Sequence, residues 1–498
     1  MVYKFGTMQN LQTPDWEQRY EESERRYEES ERRYQESEKR CQALEKQCIA
    51  LLEEVGQLKA RIIVLEAENQ ALREKLNTNS INSSKPPSQD PNRAKRKSSS
   101  ASGKKPGGQL GHPGHKRKLY PPEEVAKMVD LKPDICPNCS DGCFEDRPIS
   151  IEVRQVVDLP EMPPDVTQYN IHTRQCCRCG KHVRADVPKD AERGFGPRLM
   201  GFVTMLTGEG HLTKRKVCAI ASHLGLRISL GALCNIHRLA SQLLQAPSEA
   251  IKKFVLQQEH LNADESGWRM KHKRCWIWIG ATPRATFFKI DPSRSHEAYK
   301  RIFGNFSGTL NTDRHGAYNQ HEGQKQSCLA HIDRHFAKMS ERPEIDGFLG
   351  RLLEKQFDNV FGLWGEFKEG LFSRSILQQR AAIHVENVKT LLVYTTLEAK
   401  SNKSQALAYD LLVRFPTLWT FLHVEGVEPT NNLAERGLRP AVIFRKLSGG
   451  NQSEWGARFT ERLMTVTCTL KQQAKNMFVF LTETFKAHVQ ARPPPIPV

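Results

Sequence analysis

The chain has no run of 18 consecutive apolar residues, so nothing in it reads as a membrane span. The opening stretch, MVYKFGTMQNLQTPDW, lacks the apolar core of a secretory signal. Without an export signal, the 13 cysteines point to reduced thiols and metal ligands, not to disulfides. Hydrophobic residues make up only 38% of the 498, too few for one compact globule but enough for two to four domains joined by helix or linker. Lysine and arginine, 74 together, outnumber aspartate and glutamate, 57 together. The formal net charge is +17, which favours a polyanionic partner, with nucleic acid first. No lipidation motif supports an acidic membrane surface instead.

From Tyr20 the sequence repeats every seven residues. With Tyr20 at position a, the d positions become Leu44, Leu51, Leu58, Leu65 and Leu72, and Asn69 falls at a. That register predicts a coiled coil over residues 15–78 pairing two protomers, with weaker Ser-containing heptads at its start. Residues 79–118 change character, becoming rich in Ser, Pro, Gly and Lys. Lys85 to Lys118 holds ten Lys and Arg against one acid, Asp90. Such a segment is expected to be a disordered basic linker, with Lys95, Arg96, Lys97, Lys104 and Lys105 as phosphate contacts.

Cys136-Pro-Asn-Cys139 and Cys176-Cys-Arg-Cys179 are two CxxC knuckles separated by 36 residues. Four thiolates are the ligand set of a structural Zn²⁺, with Cys143 and Cys177 as spare thiols. Residues 119–192 are therefore expected to form a zinc-binding domain, with a hairpin of strands over Ile149–Asp158 and Asp165–His172 returning one knuckle to the other. Residues 193–255 read as helical. Thr213–Leu224, Gly225 and Ser229–Leu239 have helix-turn-helix spacing, so Ser229–Arg238 is either a recognition helix or ordinary packing.

Beyond lie short strands over Leu261–Asp264, Cys275–Gly280, Ala285–Ile290, Thr309–Thr312 and Gln326–Ala330, the first expected to end in a Gly-Trp turn. Two of them end on acids, Asp264 and Asp313. Residues 343–425 are helical and carry no evident chemistry. Thr430 or Asn431 is then placed to cap a helix with Glu435 one turn in. Glu265 alternates to the opposite face from Asp264, and Glu428 precedes a proline outside the helix, so Asp264, Asp313 and Glu435 are the expected cluster. Three clustered carboxylates repel one another unless cations neutralise them, and hard oxygen ligands select Mg²⁺ or Mn²⁺. Cys328, His331 and His335 form a weaker ligand pattern without a clear third ligand in register. Arg436, Arg439, Arg445 and Lys446, with Gly449 and Gly450, suit contact with a DNA backbone.

The KKPGGQLGHPGH segment, the two knuckles, DESGW at Asp264, TDRHGAY at Asp313, CLAHIDRHF at Cys328 and NNLAERGLRP at Asn431 together resemble transposases of the insertion sequence 66 family over most of the chain. The pattern departs at Glu265-Ser266 and at Asp333, which stands where a basic residue is usual. The resemblance implies a multidomain α+β protein: coiled coil, zinc-binding domain, helical domain and a ribonuclease-H-like α/β catalytic core. That core would span residues 256–342 and 426–486, interrupted by a helical insertion and followed by a Pro-rich tail over 487–498. It further implies a prokaryotic cytoplasmic DDE transposase, with Asp264, Asp313 and Glu435 as the Mg²⁺-binding catalytic triad. Such an enzyme cuts the terminal inverted repeats of double-stranded DNA and joins them to target DNA. A non-catalytic DNA-binding regulator and a structure-selective nuclease are the alternative readings.

Overall fold

The computed structural model describes residues 16–79, 82–83, 118–159, 163–189, 191–192 and 194–498. Lys95, Arg96, Lys97, Lys104 and Lys105 lie outside the described residues. The chain divides into two units, residues 1–92 and 93–498.

The first unit is built on helix α1, Trp16–Leu76. Its heptad leucines stand out from the single helix, each about half exposed. Early turns are laced by i,i+4 pairs such as Glu22–Arg26 and Glu29–Arg33.

In the second unit, the strands expected at 149–158 and 165–172 do not form. Among the described residues of 119–192, strand pairing occurs next to the second knuckle, where β1 (Thr173–Gln175) and β2 (His182–Arg184) are antiparallel. Both expected segments are largely exposed, with Ile149, Val156 and Val166 outward, so neither has an apolar face to bury a strand against. Four helices follow: α2 (Pro197–Gly208), α3 (Lys214–His223), α4 (Leu230–Leu243) and α5 (Gln245–Leu256). The Ser229 hydroxyl caps α4 by accepting the Ala232 N–H, as a Ser before an apolar helix should.

The central sheet has five strands: β3 (His260–Met270), β4 (Lys273–Ala281), β5 (Thr286–Asp291), β6 (Thr309–Thr312) and β7 (Lys325–Ser327), with α6 (His296–Phe303) between β5 and β6. Their order is β5-β4-β3-β6-β7. β3 to β5 form an antiparallel meander; β6 pairs parallel with β3, and β7 parallel with β6. The expected Gly-Trp turn is not a turn. β3 runs straight through Gly267 and Trp268, because Trp268 is buried and pairs with Cys275 of β4. The fifth strand is shorter than expected, and Leu329 already begins a helix.

α7 (Leu329–Ser340) leads into the helical insertion, which is made up of α8 (Glu344–Lys368), α9 (Arg374–Glu398), α10 (Asn402–Val413) and the short α11 (Thr420–His423). They share a core of their own around Phe336, Leu353, Phe357, Leu392 and Trp419. The chain returns to the sheet as α12 (Asn432–Ser448), α13 (Glu454–Gln472) and α14 (Met477–Val489). One sheet face, with Leu261, Ala263, Trp278 and Phe287, joins the core of α2, α4, α5, α13 and α14. The other, with Ile277, Ile279, Phe288 and Ile290, packs on Ala434, Leu438 and Ala441 of α12. Gly437 permits that close approach: a Cβ there would lie 2.6 Å from Cδ1 of Ile279.

Candidate active site

The parallel ladder pairs His260 with Thr309, Leu261 with Leu310 and Asn262 with Asn311. The same register, carried two residues on, sets Asp264 beside Asp313 just past the end of β6. In-register neighbours on paired strands point to one face. On that face, Asn262 and Asn311 reach toward the segment leading into α12. Asn311 donates to the carbonyls of Glu428 and Thr430, and Asn262 donates to Oδ1 of Asn431. Asn431 precedes α12 as expected but does not cap it with its side chain. Its Nδ2 instead donates to the Ala263 carbonyl at 2.8 Å, and its backbone N–H donates to the Cys328 Sγ. The helix start is thus sewn to β3 and to the start of α7, and Glu435 sits in the first turn of α12, on the side where the aspartates lie.

The electrostatics follow the same placement. The Asp264 carboxyl is held well above the usual carboxylate range, first by burial and then by Glu265, Asp313 and Glu435. Its one hydrogen bond is from the Glu265 N–H, a weak counterweight. Asp313 accepts from the His315 N–H and lies 3.9 Å from the Arg294 guanidinium. Glu435 has His331 Nδ1 at 3.4 Å and Arg334 at 3.8 Å, and its buried Oε1 has no hydrogen-bond partner.

Glu265 faces the other way, as strand alternation requires. Its carboxylate is fully buried, accepts from Arg294 Nε at 2.6 Å and from the Tyr318 hydroxyl, and has His315 at 3.8 Å. Burial and Asp313 push its pKa up while Tyr318 and Arg294 oppose the shift. Arg294 also stacks on Trp276, 4.8 Å from the ring centroid. Arg294 does not stand out in the sequence, being a lone arginine in a loop; Tyr318 ends the TDRHGAY motif, but nothing in that motif announces its bond to Glu265. Glu428, the rival acid, is taken by Lys368 and Trp364 of α8.

The basic residues of α12 divide. Arg436, Arg439 and Lys446 are exposed. Arg445 instead donates to the Gly267 carbonyl and ties α12 to β3. The Gly449-Gly450 loop is likewise fixed, because Asn451 pairs with β3 through Arg269 O and Lys271 N and accepts from the Trp268 indole.

Each CxxC knuckle forms a tight turn. Ser140 N–H donates to Cys136 O, and Gly180 N–H donates to Cys176 O. Backbone N–H groups within the turns pull the Cys136 and Cys176 thiols below the usual range. Among the described residues, the only group of three or more ligand atoms lying within 4.8 Å of one another is Cys328, His331 and Glu435. The four knuckle thiols do not meet at one point, and the three carboxylates are not drawn together that tightly. His335 is not in that group; burial first, then Arg314 and His331, lower its pKa to about 4.

The donor chemistry suits a hard divalent cation. Two aspartates and a glutamate offer oxygens, and the Asp264 carboxyl is crowded by like charge without a basic partner of its own.

Similarity to known proteins agrees with this placement. Residues 17–118 match a family of unknown function. Similar relatives include Uncharacterized protein y4qI of Sinorhizobium fredii (strain NBRC 101917 / NGR234), 24% identical over 50% of this chain and 51% of the relative. Uncharacterized protein y4jD of the same organism is 22% identical over 56% of this chain and 60% of the relative. The chain thus spans about half the length of the curated relatives it matches. The family described as Transposase IS66 family matches residues 193–459, more than half of the chain and all three carboxylates, and the chain belongs to that family.

Proposed function

We propose that the protein is a DDE transposase whose ribonuclease-H-like core, residues 256–342 and 426–486, cleaves and rejoins DNA with Asp264, Asp313 and Glu435. The observation that carries this reading is the parallel register of β3 and β6: continued two residues it supports Asp264 lying beside Asp313, on the sheet face against which α12, with Glu435 in its first turn, packs. The sheet order, three antiparallel strands followed by two parallel ones, supports the ribonuclease-H-like description.

Asp264, Asp313 and Glu435 would hold Mg²⁺ or Mn²⁺. When bound, two such ions activate a water or a 3′-hydroxyl and stabilise the leaving oxygen of an in-line phosphoryl displacement. The chain's own residues set the stage. Asn431, Asn262 and Asn311 hold the start of α12 against the strands, fixing Glu435. Arg294 and Tyr318 keep Glu265 out of the cluster. Arg436, Arg439 and Lys446 offer exposed cations for phosphates, and Lys95, Arg96, Lys97, Lys104 and Lys105 are assigned the same task. On α4, Asn235 and Arg238 are exposed one turn apart and would be the residues offered to the terminal repeats, while Ser229 caps the helix. Cys136, Cys139, Cys176 and Cys179 would take a structural Zn²⁺ once the two knuckles close on one ion. The heptad leucines of α1 would pair two protomers, which suits an enzyme that must hold two DNA ends.

The test is an in vitro assay with Mg²⁺ on DNA carrying the element's ends. Cleavage at those ends followed by joining to target DNA is expected. Cleavage without end specificity or joining would instead identify a structure-selective nuclease. End-specific binding without any cleavage would point to a regulator.

A further inference from the structure

The sequence offers Cys328, His331 and His335 as a ligand pattern; the structure groups the first two not with His335 but with Glu435, about a hundred residues further on. Cys328 precedes α7, His331 is in its first turn, and Glu435 is in the first turn of α12. The 2.9 Å bond from Leu329 N–H to Pro429 O and the bond from Asn431 N–H to the Cys328 Sγ hold the two helix starts together. The three side-chain ligand atoms lie within 4.8 Å of one another.

We propose that Cys328, His331 and Glu435 form a binding site for Zn²⁺-class transition-metal ions, and that filling it withdraws Glu435 from the carboxylate cluster. His331 Nδ1 and Glu435 Oε1 are both buried, both without a hydrogen-bond partner, and 3.4 Å apart. Bonds of about 2.0–2.1 Å from one tetrahedral ion to an imidazole nitrogen and a carboxylate oxygen put those two atoms about 3.4 Å apart. Arg334 approaches the other oxygen, Oε2, and so leaves Oε1 free. A thiolate, a carboxylate and a neutral imidazole also sum to the charge that a divalent ion cancels, which limits the cost of burying it. The Cys328 thiol, raised to about 11, would lose its proton to solvent as the metal–sulfur bond forms. Three protein ligands leave a fourth position for water, and the sulfur disfavours Mg²⁺, so this site and the hard-cation site would compete for one glutamate.

Occupation of the site is independent of whether the protein transposes DNA; only its consequence rests on the catalytic reading of Glu435. The full-length protein is saturated with Zn²⁺, desalted and its zinc counted per chain, for the wild type, Cys328→Ser, His331→Gln and Glu435→Gln, with circular dichroism to verify folding. Each variant should carry one zinc fewer than the wild type, and Cys328→Ser combined with Glu435→Gln should lose no more than either alone. Cys136→Ser, which alters a knuckle, should leave the Cys328-dependent zinc in place. The charge-transfer band of the Co²⁺-loaded protein should weaken in Cys328→Ser. In Mg²⁺-driven cleavage, the Zn²⁺ concentration giving half-inhibition should rise at least about tenfold in Cys328→Ser. An equal zinc count in folded wild type and Cys328→Ser would overturn the site. A lost zinc with unchanged inhibition would overturn the competition. If the wild type cleaves no DNA at all, the catalytic reading fails while the zinc count still decides the site.

Discussion

On one face of β3, Glu265 is enclosed: an arginine, a tyrosine hydroxyl and a histidine surround its carboxylate, and no solvent reaches it. On the other face, one residue back, Asp264 is crowded by carboxylates and has only a backbone N–H for support. Two adjacent acids on one strand thus meet opposite treatment. A carboxylate whose partners come from the protein is a structural element, since removing a partner leaves a buried charge uncompensated. A carboxylate raised by burial and like charge, with no basic partner, fits the cation site proposed for it.

The largest expected effect separates the two. Asp264→Asn should lower Mg²⁺-dependent cleavage by about 10³-fold or more, equivalent to about 4 kcal/mol of barrier, with DNA binding retained. Glu265→Gln should keep measurable cleavage; equal loss in a folded Glu265→Gln protein would break the contrast. Next comes stability. Arg294→Met strands Glu265, and since the arginine is about a third exposed, a cost of about 2–3 kcal/mol is expected in urea unfolding, below the full cost of breaking a buried pair. Tyr318→Phe should cost less, about 1–2 kcal/mol.

The Asp264 side makes the opposite prediction. A folded-state pKa above the unfolded value means that the native state binds more protons, so stability is fullest below about pH 4 and falls as pH rises through the folded pKa. At pH 7 without divalent ions, Asp264→Asn should therefore raise the thermal midpoint, by about 1–2 °C for each kcal/mol of repulsion relieved in a unit of this size. The gain should shrink toward pH 4, and Mg²⁺ should raise the wild type more than the variant. The smallest effect concerns the helix that carries Glu435. Gly437→Ala brings a Cβ against the end of the Ile279 side chain and should cost about 1 kcal/mol, with Ile279→Val, which lacks that atom, restoring most of it.

How much of this was legible in the sequence depended on where the determining contacts lie. β6 matches its expected limits, and α12 begins after Asn431 as expected, because strand and helix-start signals are local. The passage of β3 through Gly267-Trp268 was not legible, since it depends on Cys275 opposite and on Asn451 far along the chain. Nor was the role of Asn431, which resembles a cap and acts as a strut to Ala263. The knuckle region shows the reverse error: β-rich composition at 149–158 and 165–172 suggested strands, but no apolar partner surface is present to hold them. Arg445 read as a free cation because nothing nearby in sequence announces the Gly267 carbonyl that it meets.

The central claim is that Asp264, Asp313 and Glu435 share divalent cations, and Mn²⁺ binding followed by electron paramagnetic resonance tests it most directly. The account predicts two bound Mn²⁺ ions, magnetically coupled, in the wild type and in Glu265→Gln, with coupling lost in Asp264→Asn, Asp313→Asn and Glu435→Gln. No bound Mn²⁺ in the folded wild type, or a coupled pair that survives all three substitutions, would contradict it.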